Sequence, residues 1–427
     1  MLDGRMISPE VSHLGSDLMS KILAYTSPAL GNLSPMCALL RELVQRGHHV
    51  DVRTLATGVP VARSIGCVAE PIDSRIEAIE MTDWKAKRGV PALKVAFGVF
   101  AQRAALEVDD LRAAIAATDP DAVMVDANCW GAAVAAEASG IPWLAFWPYF
   151  PFLRSPGIPP FGPGLRPWPG VAGRIRDRLL DPVVTGQLTT LMLRPVNALR
   201  SDIGLPPADS VDDVLRRAPL MLVASSAPFD YPRSDAAGRL HMIGPCEFDP
   251  SPAGDAAWLD DVEGPLILVT MSSERQGDVA LGVTALAALA DQPVHVVATF
   301  PAGVPPGIVL PANASAVQFV SHAAVLGRAV CAITHGGMGG TQKALARGVP
   351  VCVVPHGRDQ FEVARRVEVA RCGTWLPPRR LTPSRLKAKA LQAISMTEGA
   401  RRVAEGFVAT GGVRRGADVV ESRLLTV

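Results

Sequence analysis

Short apolar runs alternate with helical segments along almost the whole chain, and that alternation leaves few folds open. The first run is KILAYTSP (21–28), followed by the loop ALGNLS and a helix. Ser34 is placed to cap this helix and Pro35 to sit in its first turn. Met36, Leu39, Leu40, Leu43 and Val44 give it one apolar face, and Gly47 is placed to end it. HHVDVRTLAT (48–57) follows as a second strand. A strand, a helix and a second strand in this order make a right-handed βαβ unit of a parallel sheet. The rhythm continues with a long helix over 92–117, strand AVMVDAN (122–128), an Ala-rich helix over 131–140 and strand IPWLAFW (141–147). A second series begins near 240, with strands PLILVTM (265–271), PVHVVATF (293–300), AVQFV (316–320), AVCAIT (329–334) and VPVCVVP (349–355). The fold class is therefore α/β, with two Rossmann-like parallel-sheet domains facing across a cleft, a favoured place for ligands.

The chain has 427 residues, more than the ~250–300 at which one hydrophobic core stops growing. The expected division is an N-terminal extension (1–20), a first Rossmann-like domain (21–228), a linker (229–262), a second Rossmann-like domain (263–384), and C-terminal helices (385–427) that pack back on the first domain. A net charge of +1 without a basic run argues against nucleic acid. No stretch reaches the ~18 apolar residues of a membrane span, and the N-terminus lacks a signal-peptide core. The seven cysteines form no CxxC pair and no Cys/His group has zinc spacing, so buried reduced thiols, a cytoplasmic location and no metal are expected. Residues 148–170, dense in Pro, Gly and aromatics, read as an aromatic loop over a pocket or as packing against neighbouring helices.

The most informative stretch is THGGMGGTQKALARGVPVCVVPHGRDQ (334–360). It reads as a strand end, a Gly-rich turn, a helix over about 341–347 and another strand. Gly336, Gly337, Gly339 and Gly340 allow close approach of a ligand to the backbone. The helix N-terminus beyond them favours phosphate, with His335 pointing at the same place. The pattern matches neither GxGxxG nor the P-loop.

As an ordered whole, this stretch resembles the nucleotide-sugar signature of glycosyltransferase family 1, the inverting group that includes bacterial macrolide and glycopeptide glycosyltransferases. QFVSHAAVL (318–326), GVP before the strand and RDQ after it share the resemblance, which spans most of the chain from residue 21. It implies the two-domain GT-B fold, no cofactor, and a UDP- or dTDP-sugar as co-substrate. It implies that His335 contacts the donor diphosphate, and that Gly337, Gly339, Gly340 and Thr341 hold phosphate. Phe319 would stack on the base, Val320 would read it through its backbone, and His322 would lie near the ribose. Asp359 and Gln360 would bind donor-sugar hydroxyls, and Ser272 and Ser273 would lie near the diphosphate. Family members often place a carboxylate on the ribose eight residues after the histidine. Here that position is Lys343, which cannot accept hydrogen bonds from a diol. Lys343 reaches phosphate instead, or faces solvent.

The resemblance also implies a histidine base in the loop after the first strand, polarised by an aspartate. The aspartate is Asp126, but the base position is Asn32, which takes no proton at neutral pH. Three readings remain. Asp126 is itself the base, directly or through water; the acceptor is an amine or an acidic hydroxyl that needs little help; or the chain is a weak or inactive relative that binds nucleotide sugar or an apolar ligand. The aromatics Trp130, Trp143, Phe146, Trp147, Phe150 and Phe152 are the expected walls of a pocket for an apolar small-molecule acceptor. A homodimer is an assembly this reading admits.

Overall fold

The computed structural model describes residues 19–233, 238–249, 256–274 and 276–425. The first sheet holds β1 (Lys21–Tyr25), β2 (His49–Thr54), β3 (Val68–Pro71), β4 (Ala122–Asp126), β5 (Trp143–Trp147), β6 (Leu220–Val223) and β7 (Leu240–Met242). Their order is β3-β2-β1-β4-β5-β6-β7, and every pairing is parallel. The second sheet holds β8 (Leu266–Thr270), β9 (His295–Thr299), β10 (Ala314–Val317), β11 (Ala329–Thr334), β12 (Val351–Val353) and β13 (Gly373–Trp375), ordered β10-β9-β8-β11-β12-β13 and again parallel. The direction of winding reverses between β1 and β4 in one sheet and between β8 and β11 in the other. Ligands in open parallel sheets bind at such reversals, beyond the carboxyl ends of the strands.

Several boundaries differ from those read in the sequence. The first helix runs Leu30–Gln45, so Ser34 does not cap it and Pro35 lies inside it. Fully buried Leu33 and a tethered Asn32 draw the preceding turn into the helix. AVQFV ends as a strand at Val317, which puts Phe319 and Val320 beyond the sheet. β7 belongs to the first sheet although it falls within the stretch assigned as linker. Of the C-terminal helices, Pro383–Ile394 and Thr397–Thr410 pack on the second sheet through Leu386, Ala390, Val403 and Phe407. Gly412–Val420 returns to the first sheet, where Ala417, Val419 and Val420 join the cluster of Leu39 and Leu43, while Gly406 of the preceding helix abuts Ala227 and Pro228. Residue 384 is therefore too early a place to end the second unit: the apolar faces of the two helices that follow it match the second sheet.

Both faces of each sheet are covered by helices, and all seven cysteines are buried and unbridged. The helices Val90–Thr118 and Trp130–Ser139 meet so closely that a Cβ on Gly131 would lie 1.8 Å from the Ala104 carbonyl oxygen. At this crossing Gly131 N–H donates to Glu107 Oε2 at 2.9 Å. Burial pushes the Glu107 carboxyl from 4.5 up to about 8. The folded chain then binds the Glu107 proton more tightly than the unfolded chain between about pH 4.5 and 8, so this group lowers stability as pH rises through that window. Glu107→Gln keeps an acceptor for Gly131 and removes the titration. Urea unfolding at pH 5 and pH 8 is expected to show a smaller alkaline loss in the variant than in the parent.

Candidate active site

At the first reversal, the loop after β1 and the end of β4 converge on Asp126, which is 1% exposed. Its Oδ2 accepts from Ser27 N–H (3.1 Å), Ser27 Oγ (2.5 Å) and Asn32 Nδ2 (2.9 Å), and its Oδ1 from Asn128 N–H (3.0 Å). Burial raises the Asp126 carboxyl above its usual range, and the donors from Ser27, Asn128 and Asn32 pull it back. Asn32 Nδ2 also donates to Ser27 Oγ at 2.9 Å, so Asn32 stands hydrogen-bonded to the carboxylate where a base would stand.

At the second reversal, β11 ends at Thr334 and the Gly-rich turn leads into the helix Met338–Ala346, with Gly337 in extended backbone as its N-cap. Gly336 needs its φ of 92°, and a Cβ there would press on Val353 and Gln360. Gly339 is exposed, and a Cβ on it would meet nothing within 4 Å. His335 Nδ1 lies 3.5 Å from the Thr270 carbonyl oxygen and 3.9 Å from Asp278 Oδ2. Burial lowers the His335 pKa and Asp278 opposes that shift. Asp278 Oδ2 also accepts from Ser272 N–H at 2.7 Å, tying the loop after β8 to the histidine. Asp278 was not singled out in the sequence, because nothing local distinguishes it from a helix cap.

Thr341 corrects one expectation. It lies inside the helix, fully buried, and its hydroxyl meets Thr334 Oγ1 at 3.2 Å, so it ties helix to strand and offers no hydroxyl to a phosphate. Gln360 is also buried. Its Oε1 accepts from His356 N–H (2.6 Å) and Gly357 N–H (3.1 Å), and its amide nitrogen donates to Gln276, so it braces the turn before its helix. Asp359 is half-buried, and burial raises its carboxyl to about 6. Ser272 is buried and Ser273 is exposed. Phe319 is 61% exposed and so available for stacking, whereas Val320 is buried. His322 follows the capping Ser321, and burial with Lys343 nearby lowers it to about 4. Lys343 is half-buried in the field of Asp249 and Glu247. Asp249 Oδ2 in turn accepts from Ser321 Oγ at 3.0 Å. Among the described residues no group of three metal-ligating side chains occurs.

The aromatic residues need a larger correction. Phe146 is fully buried on the opposite face of the first sheet, against the helix Leu30–Gln45, and so walls no cleft. Phe150 is fully buried between Phe229 and the Arg366 guanidinium, 3.8 Å from its ring. Trp130, Trp143 and Trp147 line a cavity of about 40 Å³ in the first core, and Asp126 lines it too. Trp147 is buried, with Tyr149 and Phe152 edge-on to its ring. Of the six, only Phe152 lines the groove of about 300 Å³ between residues 152–161 and the helix Gly170–Leu188. The walls of that groove include neither Asp126 nor the Gly-rich turn.

The two units are joined by ionic contacts that the sequence did not reveal. Arg358 grips Asp83 with Nε at 3.0 Å and Nη2 at 2.9 Å, and reaches Glu274 at 3.0 Å. Arg366, buried between Phe150 and Tyr231, bonds Asp230 at 2.7 Å and Glu362 at 2.8 Å. Glu362 Oε1 accepts from Gly162 N–H and Gly164 N–H, pinning the aromatic loop to the helix Gln360–Val369.

Comparison with known proteins accounts for this arrangement. Residues 283–414 match the erythromycin biosynthesis protein CIII-like C-terminal domain. The 4'-demethylrebeccamycin synthase of Lentzea aerocolonigenes is 28% identical over 94% of this chain and 99% of its own length. The demethyllactenocin mycarosyltransferase of Streptomyces fradiae is 26% identical over 96% of this chain and 88% of its own. The crystal structure of the kitacinnamycin glycotransferase superposes with a TM-score of 0.75 at 26% identity, covering 95% of this chain and all of that one. These likenesses support a family 1 glycosyltransferase. The two sheets are the two halves of a GT-B fold. The chain is a glycosyltransferase that uses a nucleotide sugar and transfers the sugar to a small-molecule acceptor. No helix among the described residues is long and apolar enough to cross a membrane.

Proposed function

We propose that this glycosyltransferase moves a hexose or deoxyhexose from a UDP- or dTDP-sugar, with inversion, to an apolar small molecule. The observation that carries the reading is the placing of two unlike sites at the two sheet reversals. One is a buried carboxylate, Asp126; the other is a Gly-lined helix N-terminus beside a neutral imidazole, His335. The acceptor atom attacks the anomeric carbon as the bond to the diphosphate oxygen breaks. Backbone N–H groups of residues 337–340 and the helix dipole take up charge on the leaving diphosphate. Asp126 receives the acceptor proton directly or through water, since Asn32 cannot. Burial favours this role, because a carboxyl with a raised pKa is a stronger base than one in water. Phe319 stacks on the base, and Asp359 accepts from the sugar hydroxyls. The acceptor enters along the aromatic loop, by way of Phe152.

Calorimetry with UDP and dTDP tests the donor half. Binding of at least one is expected, with a rise in melting temperature by linkage. No heat and no shift with either would remove the reading. A second reading, a non-catalytic binding relative, is favoured by Asn32. It predicts binding without sugar-dependent release of UDP or dTDP.

A further inference from the structure

Tyr149 was not among the aromatics singled out in the sequence, yet it occupies a distinctive place. It follows the carboxyl end of β5, next to the strand that carries Asp126. Unlike its neighbours Trp147, Pro148 and Phe150, it is only half-buried. Its ring packs against the apolar cluster of the first sheet and also against that of the second, so it stands at the junction of the two units. Its hydroxyl donates to Asn128 Oδ1 at 2.6 Å. Asn128 N–H in turn donates to Asp126 Oδ1 at 3.0 Å. Trp147, edge-on with ring centroids 5.6 Å apart, limits tilting of the phenol. The phenol is therefore fixed to the loop that carries the buried carboxylate.

We propose that Tyr149 positions the transferring sugar, its phenol oxygen accepting a hydrogen bond from a sugar hydroxyl. The proposal rests on the donor-site reading given above and adds a contact to it from the opposite unit. A phenol that donates its one proton to Asn128 keeps its lone pairs as acceptors. Burial, and the fields of both Asp126 and Asp359, hold the phenol neutral at every working pH. Tyr149 is linked through Asn128 to Asp126, the residue proposed to take the acceptor proton, and packs against the second unit, which carries Asp359, the residue proposed to hold the sugar. A sugar fixed from both sides has its anomeric carbon aligned for in-line attack, which is where orientation contributes to rate.

The test compares the affinity of UDP-glucose with UDP, and of dTDP-glucose with dTDP, by calorimetry in the parent chain, in Tyr149→Phe and in Asn128→Ala. Tyr149→Phe keeps the ring and its packing. Loss of one hydrogen bond is expected to cut the affinity gained from the sugar by about five- to tenfold. Affinity for the free nucleoside diphosphates is expected to stay unchanged. Asn128→Ala frees the phenol to rotate and is expected to give part of the same loss. A Tyr149→Phe chain that keeps the full gain from the sugar overturns the proposal, as does a parent chain that gains nothing from either sugar. Absence of UDP and dTDP binding in the parent is a different result, and it strikes the donor-site reading itself.

Discussion

Asp126→Asn is expected to lower sugar-dependent release of UDP or dTDP by about 10²–10⁴-fold, the usual worth of a positioned general base. The affinity for the free nucleotides should not change, because no group of the Gly-rich turn hydrogen-bonds Asp126. The substitution is nearly isosteric, yet its consequences are specific. Asp126 accepts from four donors and gives none. An amide in its place turns one acceptor atom into a donor, so at least one bond from Ser27, Asn32 or Asn128 must break or reverse. The parent's turnover should fall on the acid side, with a midpoint above the ordinary 3.8 of an aspartate, because burial raises this carboxyl and the ionised form is the base. Asn32→His supplies the complement. A histidine here, bonded to Asp126, becomes the base and moves the acid limb into the range of an imidazole, near pH 6.5. An amine acceptor would make the Asp126→Asn loss small. Full turnover with a hydroxyl acceptor would eliminate Asp126 as base.

The sequence carried the fold in its strand spacing, and it carried the strand end, Gly-rich turn and helix start around His335 in the order of its glycines. Both are local signals. A strand end, a run of glycines and a helix start lie within a few residues of each other, so the backbone chemistry that makes them also makes them readable. What stayed hidden depends on which side of a sheet a residue faces. Phe146 and Trp147 are adjacent in the chain, but successive side chains of a strand point to opposite faces, so one lies under the first helix and the other beneath Tyr149. The family resemblance implies a phosphate contact for Thr341, yet the helix expected from about 341 starts three residues earlier, at Met338. A hydroxyl at the fourth helical position turns back onto the strand, where Thr334 meets it. The grips of Arg358 on Asp83 and of Arg366 on Asp230 join residues more than a hundred apart in the chain. No spacing rule connects such partners.

Gly339→Asp is expected to weaken UDP and dTDP binding by about two orders of magnitude while leaving the fold as stable as before or slightly more so. The two effects have opposite signs, which separates a ligand site from a structural turn. Gly339 is the second residue of the helix Met338–Ala346 and is exposed, and no atom lies within 4 Å of where its Cβ would be. A side chain there meets no steric penalty. Replacing a helical glycine by aspartate relieves only about 0.3 kcal/mol, since aspartate is itself a weak helix former, and an acidic group in a first turn gains a further ~0.3–1 kcal/mol from the dipole. The same carboxylate occupies the space and the charge that a pyrophosphate would use, so nucleotide affinity is lost through both exclusion and repulsion. Gly337 is a poorer probe, since its Cβ would lie 2.4 Å from His335 Nε2 and would displace the imidazole as well. Gly339→Asn has nearly the size of the aspartate without its charge, and it should cost less affinity than Gly339→Asp. Calorimetry beside thermal unfolding reads both quantities on the same samples. Unaltered UDP and dTDP affinity in Gly339→Asp would mean that the helix N-terminus does not face the diphosphate, and the charge stabilisation assigned to it during transfer would have to come from elsewhere.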